Sequence, residues 1–256
     1  METEFEYGNW IRKKNLLVLG VCALAVGGLI FIPLGAPYQI VATILFVIIL
    51  VSFLFPLYAY GMFSQNGGRF QEKVYGLIIQ SLGEKVKGRI LDIGTGNGVL
   101  AVKLAQQQPE AEVIGVDYWG KDWEYSRAVC EKNALTARVE GRVHFKKGDA
   151  AELGFPADAF DGAISNLTFH EVRSVADKRA VLLEALRVVK PGGTFAFVDY
   201  FCDDKYYGKV TEFESYLKHR QLSEFEFKPL HQMLAIPVLL RHPRILGKVG
   251  IVRGKK

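Results

Sequence analysis

Hydrophobic and polar positions follow two different rhythms along this chain. Across residues 15–68 no Asp, Glu, Lys or Arg occurs, and two continuous apolar segments, 16–34 and 38–63, flank a break at Pro33, Gly35 and Pro37. A helix needs about 20 apolar residues to cross a bilayer, so each segment is long enough to span one. The pattern predicts a short N-terminal tail (1–14) followed by a two-helix transmembrane hairpin (15–63). A cleaved signal peptide would have one shorter apolar core, and the second span argues against it. A hairpin buried in a globular core is disfavoured because both segments exceed ordinary core-helix length. Ala23 and Gly27, with Gly20 and Gly28 nearby, offer a small-residue face through which the two helices can approach closely. Neither span carries an ionisable group, the usual sign of an ion pathway, so the hairpin reads as an anchor. Arg12, Lys13 and Lys14 precede the first span, and Arg69 and Lys73 follow the second. This bias predicts a multi-pass membrane protein with both termini and everything after the hairpin in the cytoplasm.

Residues 64–86 form a linker. A polar joint at 64–68 leads into a stretch with Phe70, Val74, Leu77 and Ile78 at helical spacing, which predicts an amphipathic helix. It either covers the mouth of the following domain or lies along lipid headgroups. From Arg89 onward the rhythm changes to short β-branched or aromatic runs alternating with helical stretches. That alternation predicts an α/β domain over 87–256, a Rossmann-like, doubly wound, mostly parallel sheet. Candidate strands are 89–93, 112–116, 143–147, 162–165 and 194–200, with helices at 99–107, 122–133 and 178–189. Pro191, Gly192 and Gly193 are expected to make the turn into the last of these strands.

Composition narrows the picture only slightly. A length of 256 residues suits one well-buried domain plus a smaller appendage. Cys22, Cys130 and Cys202 stand far apart with no Cys-x-x-Cys spacing, so neither a disulfide framework nor a zinc site is expected. No metal is expected, and a reducing compartment fits. The net charge of +5 is compatible with nucleic acid, an anionic membrane or a solvated exterior, and charge alone does not separate them.

Chemistry concentrates at the strand ends. The first strand runs into Leu91-Asp92-Ile93-Gly94-Thr95-Gly96-Asn97-Gly98, followed by a helix. Glycines at such a turn let backbone amides approach a ligand, and the helix N-terminus favours its negative groups. Val99 stands where the dinucleotide fingerprint places its third glycine, which disfavours a nicotinamide-dependent reductase. The second strand ends at Asp117, placed to accept from ribose hydroxyls, although it could equally cap the helix that follows. The third strand leads to Gly148-Asp149-Ala150 and the fourth to Ser165-Asn166. These loops are expected to meet in the crevice outside the carboxyl ends of the strands.

In these motifs residues 89–201 resemble a class I S-adenosyl-L-methionine (SAM)-dependent methyltransferase, and 186–193 (Leu-Arg-Val-Val-Lys-Pro-Gly-Gly) resembles the segment before the fifth strand of its small-molecule and lipid members. The resemblance implies SAM as methyl donor, with Gly94, Gly96 and Gly98 near its methionine and ribose parts. It implies that Asp117 holds the ribose hydroxyls and that Asp149 meets the adenine amino group. Asp92, Thr95, Tyr118, Ala150 and Asn166 belong to the same expected cofactor cleft. It also implies a seven-stranded sheet whose last strand is antiparallel, with segments near 224–228 and 248–253 as the sixth and seventh.

Methyl transfer from a sulfonium needs an acceptor lone pair held in line, and a base where that acceptor is protonated. His170, just beyond the fourth strand, is the candidate base, with Glu171 as the partner that raises its pKa; capping or packing the next helix is the competing reading. Tyr118 and Trp119 line the cleft or pack as ordinary aromatics, and Asp199 and Tyr200 are placed to face the acceptor. Asn166 is followed by Leu167 and Thr168 rather than the Pro-Pro-aromatic run of nucleobase amino-methylases, and no dense basic and aromatic patch occurs. Nucleic acid is therefore not the expected partner. Residues 233–256 mix apolar and basic positions that either rest on an anionic membrane or complete the sheet. A tether raises the local concentration of anything dissolved in the bilayer, so the expected acceptor is lipophilic: a lipid headgroup, a quinone-like ring or a hydrophobic small molecule. A membrane-bound SAM sensor or scaffold without turnover is the alternative. Oligomeric state is not legible.

Overall fold

A computed structural model describes residues 5–33, 35–120, 124–220 and 222–256. The chain divides into two compact units, Gly8–Glu72 and a second made of Met1–Tyr7 with Lys73–Lys256.

In the smaller unit, α1 (Lys13–Leu29) and α2 (Ala36–Phe63) pack side by side. The expected small-residue face is used at Gly20 and Gly27. A Cβ on Gly20 would meet the Phe53 ring at 3.3 Å, and one on Gly27 the Phe46 ring at 2.9 Å. Gly27 faces Phe46 while Gly20 faces Phe53, so the helices run antiparallel. Gly28 faces nothing within 4 Å. Ala23 and Ala42 are buried, whereas Leu17, Leu24, Ile40, Ile44, Ile48 and Val51 are exposed.

The two expected spans differ in length. Among the described residues one helix, α2, is long and apolar enough to cross a membrane, with 28 residues and a mean hydropathy of 2.9 over its most apolar stretch. Helix α1 has 17 residues, about 26 Å at 1.5 Å per residue, and begins on Lys13 and Lys14. Apolar composition continues to position 34, but regular helix does not. The chain tightens into 3-10 hydrogen bonds at Ile30, Phe31 and Ile32 just before Pro33, which has no N–H to continue the ladder. Leu34 lies outside the described residues.

The larger unit is built on a seven-stranded sheet: β1 (Gly88–Ile93), β2 (Ala111–Asp117), β3 (Val143–Lys147), β4 (Phe160–Asn166), β5 (Val189–Asp199), β6 (Glu224–Pro229) and β7 (Gly250–Lys255). Their order is β3-β2-β1-β4-β5-β7-β6. The first five are parallel, and β7 runs antiparallel to both β5 and β6. Central strands are covered on both faces, so their inner positions are nearly all apolar: Ile90, Leu91 and Ile93, and Phe195 through Val198, are buried. Helices α4 (Val99–Gln107), α5 (Arg127–Thr136) and α6 (Lys178–Arg187) lie between successive strands.

Several element boundaries differ from expectation, most at β5, α6 and α5. Strand β5 begins at Val189 and runs through Pro191–Gly193, where the local sequence predicts a turn; Val189 pairs with Phe160, and Gly192 N donates to Lys256 O at 2.7 Å. Helix α6 accordingly ends at Arg187. Helix α5 starts at Arg127, where the Ser126 hydroxyl accepts from Val129 N, and not at Asp122, which with Trp123 is outside the described residues. The linker helix α3 (Phe70–Ser81) forms as expected. Val74, Leu77 and Ile78 are buried, and the Ser81 hydroxyl accepts from Arg253 at 3.1 Å, so from Lys73 on this helix packs in the larger unit.

One face of the sheet is sealed by Phe169, Leu182, Phe195, Phe197, Phe201, Tyr207 and Phe213. Phe197 is fully buried and packs on the Phe169 and Phe195 rings. Phe197→Ala is therefore expected to lower unfolding free energy by about 3–5 kcal/mol, read from denaturant unfolding in detergent.

Candidate functional site

The sheet register decides which loops meet. Ile93 is level with Val116 and with Ser165, Asp117 with Lys147, and Asn166 with Val198. The chain therefore leaves β1, β2, β3, β4 and β5 at one edge, and the polar residues following each strand line the same crevice.

The glycine loop is fixed by close approach. Gly94 has φ +74, and a Cβ there would lie 2.0 Å from the Thr168 hydroxyl on the loop after β4, so the two loops touch where only glycine fits. Gly98, also left-handed, caps α4, whose N-terminus opens toward the crevice. Beneath the loop Asp92 is fully buried and accepts from the Thr95 hydroxyl at 2.6 Å. Burial raises its pKa to about 7, with the nearby Asp117 charge adding to the rise and the Thr95 bond opposing it. Asp92 and Thr95 thus underpin the loop rather than open onto the crevice.

Asp117 ends β2 with one carboxylate oxygen accepting from Gly96 N at 2.9 Å and the other from Trp119 N at 2.7 Å. The Trp119 indole N–H returns a bond to Gly96 O at 2.9 Å, so the acid, the loop and the indole form one closed unit. Burial raises the Asp117 pKa while these backbone bonds hold it down. Gly148 N donates to Asp117 O at 3.0 Å, which brings Asp149 alongside, and Asp149 accepts from Ala151 N. Ala150 is buried, whereas Tyr118 is 65% exposed with Lys147 over its ring. The Asn166 Oδ1 atom is buried without a hydrogen-bond partner among the described residues.

His170 lies in a single 3-10 turn, Phe169–Glu171, after β4. Its main partner is Asp199 at the end of β5, not Glu171. Nδ1 is 2.6 Å from Asp199 Oδ1, and the His170 backbone N donates to Oδ2 at 3.1 Å, whereas Nε2 is 3.6 Å from Glu171. A carboxylate only accepts, so Nδ1 carries the proton, and in the neutral imidazole Nε2 keeps its lone pair. Burial lowers the His170 pKa, but the charge and hydrogen bond of Asp199, then Glu171, outweigh it and the net direction is upward. Tyr200 meets the imidazole edge-on at 4.6 Å and Tyr206 lies at 5.6 Å. Local sequence reading misses the Asp199 pairing and Tyr206 because both are non-local. The usable signal is Asp199 at the end of the strand neighbouring the one that leads to His170.

A protein-family model described as a methyltransferase domain matches residues 84–234, more than half of the chain. The chain belongs to this family, the class I SAM-dependent methyltransferases. Membership brings SAM as the methyl donor. A demethylmenaquinone methyltransferase of Thermus thermophilus is 36% identical over 117 residues, 46% of this methyltransferase and 49% of that protein. A ribosomal RNA large subunit methyltransferase G of Streptomyces avermitilis is 33% identical over 107 residues, 41% of this chain and 27% of that one. The chain thus spans about half or less of the length of these relatives. Among solved structures, phosphoethanolamine N-methyltransferase 2 of Haemonchus contortus, in complex with SAM, superposes with a TM-score of 0.52 at 18% identity, over 72% of this methyltransferase and 52% of that one. At that identity the match speaks to the fold alone.

Proposed function

We propose that this methyltransferase, anchored by its hairpin, moves a methyl group from SAM to a lipophilic acceptor of the quinone type, with His170 as general base. The observation that carries the reading is the His170–Asp199 pair set against the glycine loop: Thr168, two residues before His170, touches Gly94. The menaquinone precursor named for the Thermus thermophilus relative supports the acceptor class.

The residues fit the donor. Asp117 spends one lone pair on each oxygen on a backbone amide and keeps the others for the ribose hydroxyls. The unpartnered Asn166 Oδ1 suits a donor such as the methionine ammonium, since a buried acceptor without a partner is costly. Asp149 and Ala150 take the adenine side, with Tyr118 at its rim. When bound, SAM supplies an electrophilic methyl carbon and departs as S-adenosylhomocysteine. With the acceptor in its reduced, hydroquinone form, His170 Nε2 would take the hydroxyl proton and so raise the electron density of the ring carbon that receives the methyl group; that carbon's own proton then leaves to water and the ring is aromatic again. Asp199 holds the imidazole in the tautomer with Nε2 free and stabilises the imidazolium that forms. Tyr200 and Tyr206 flank the position with aromatic surface suited to a flat ring.

Anchoring is supported by the exposed apolar flanks of α1 and α2. With the 3-10 turns through Ile32 adding about 6 Å, α1 reaches roughly 32 Å, close to the bilayer core. Two spans then put both ends on the positive, cytoplasmic side.

Formation of S-adenosylhomocysteine with a chemically reduced, demethylated hydroquinone in detergent tests the activity and separates it from a SAM sensor, which would bind without forming product. Asp92 adds a second expectation. Its pKa, raised to about 7 by burial, puts its titration in the neutral range, and a bound cation favours its ionised form, so SAM binding should release protons. Calorimetric heats should then vary with the buffer's ionisation enthalpy and cease to vary in Asp92→Asn; buffer-independent heats in the wild type contradict it.

A further inference from the structure

The C-terminal stretch 229–256 contains no Asp or Glu. Of its cations, Lys248 pairs with Asp203, Arg253 with Glu226, Lys255 with Glu224 and Lys256 with Asp158. Among the described residues no carboxylate stands within ion-pair distance of Arg241 or Arg244, and both are exposed. Between β6 and β7 a 3-10 turn, Val238–Arg241, presents Val238 at 78% and Leu239 at 55% exposure. They are the one adjacent pair of large exposed hydrophobic residues among the described residues of the larger unit; Tyr118 and Leu135 stand singly. The presentation is built. Ile236, Leu240 and Leu246 are buried beneath the turn, and Arg241 Nε clamps it by donating to Ile236 O at 2.9 Å.

The far end of this loop is tied, through Tyr200 alone, to the His170 side of the crevice, while Val238 and Leu239 stand on its exposed tip. The Tyr200 hydroxyl donates to Ile245 O at 2.8 Å and lies 3.2 Å from Arg244 O, while the Tyr200 ring rests against His170. An apolar tip with free cations and no acid nearby is the chemistry of an anionic bilayer interface, where apolar side chains enter the headgroup region and guanidinium groups meet phosphates.

We propose that the 237–244 loop docks on an anionic phospholipid surface, inserting Val238 and Leu239 with Arg241 and Arg244 on the phosphates, so that the His170 side of the crevice receives its acceptor directly from the bilayer. This rests on the membrane-anchored reading above, and its test is independent of turnover. Full-length protein carrying Leu239→Trp is reconstituted into phosphatidylcholine vesicles with and without phosphatidylglycerol, and fluorescence quenching by brominated lipid is compared with Leu135→Trp and with the wild type. Quenching specific to position 239 and stronger with phosphatidylglycerol is expected. A Leu239→Trp variant quenched no more than the Leu135→Trp variant overturns the proposal and leaves this surface to a second copy or another protein. As a second measurement, Val238→Ser with Leu239→Ser should raise KM about tenfold for a long-chain acceptor in vesicles and leave that for a short-chain soluble analogue unchanged. An equal change for both acceptors contradicts docking. If the Leu239→Trp variant is quenched but no S-adenosylhomocysteine forms, docking stands and the methyl-transfer reading falls.

Discussion

Asp117→Ala is expected to weaken SAM binding on the order of 100-fold or more, because it removes two charge-assisted acceptors, each contributing about 1.5–3 kcal/mol. The carboxylate also ties Gly96 N to Trp119 N, so its loss loosens the glycine loop at the same time. Asp117→Asn keeps one acceptor oxygen and should fall between the variant and the wild type. Equilibrium binding, with thermal unfolding as a control for folding, reads the effect; wild-type affinity in Asp117→Ala would remove this residue from the cofactor site.

His170→Ala is expected to lower kcat/KM by roughly 10²–10⁴-fold while SAM affinity stays near the wild-type value, since general-base catalysis contributes on that scale. The base must be neutral to act, so activity should fall as pH drops through the His170 pKa. That pKa lies above the ordinary value because Asp199, aided by Glu171, more than offsets the effect of burial. Replacing Asp199 with Asn removes the charge, lowers the His170 pKa and should move the acid limb of the kcat/KM profile to lower pH, with a reduced plateau from the weaker hold on the ring. A merely structural histidine would leave the limb in place. The sign for stability is the opposite of that for activity. A histidine whose pKa is raised on folding stabilises the fold below its unfolded pKa of about 6.5, and this contribution is lost as pH rises through the folded value.

The legible parts of the fold were those set by local pattern. Helix α4 and strand β3 lie at the expected residues because periodicity and the preceding glycine or following Gly148 mark both ends. The count of seven strands and the antiparallel β7 came only through the family resemblance, and the strand order was not legible at all, since nothing local specifies which strands pair. Pro191-Gly192-Gly193 reads locally as a turn, yet pairing of Val189 with Phe160 and of Gly192 with Lys256 draws it into β5. Hydropathy likewise runs past the first helix: composition stays apolar to position 34, but regular helix ends at Leu29 and the chain tightens before Pro33. In the site, Asp117 and the glycine loop were visible as a motif, while the link between His170 and Asp199 spans 29 positions in sequence and is made by the parallel register of β4 and β5. Neighbouring sequence pointed instead to Glu171, which is 3.6 Å away. The complete burial of Asp92 was equally hidden, because a charged residue within a strand gives no sign of which side of the loop it will occupy.

The most direct test of the account is to supply methyl-labelled SAM and a total membrane lipid extract to the detergent-solubilised full-length protein, with Asp117→Ala alongside, and to follow label into the organic phase. Label that appears with the wild type and is lost with the variant is the predicted result, and its carrier identifies the acceptor. Label confined to water-soluble products, or no transfer despite measured SAM binding, would contradict a methyltransferase acting on a lipophilic acceptor.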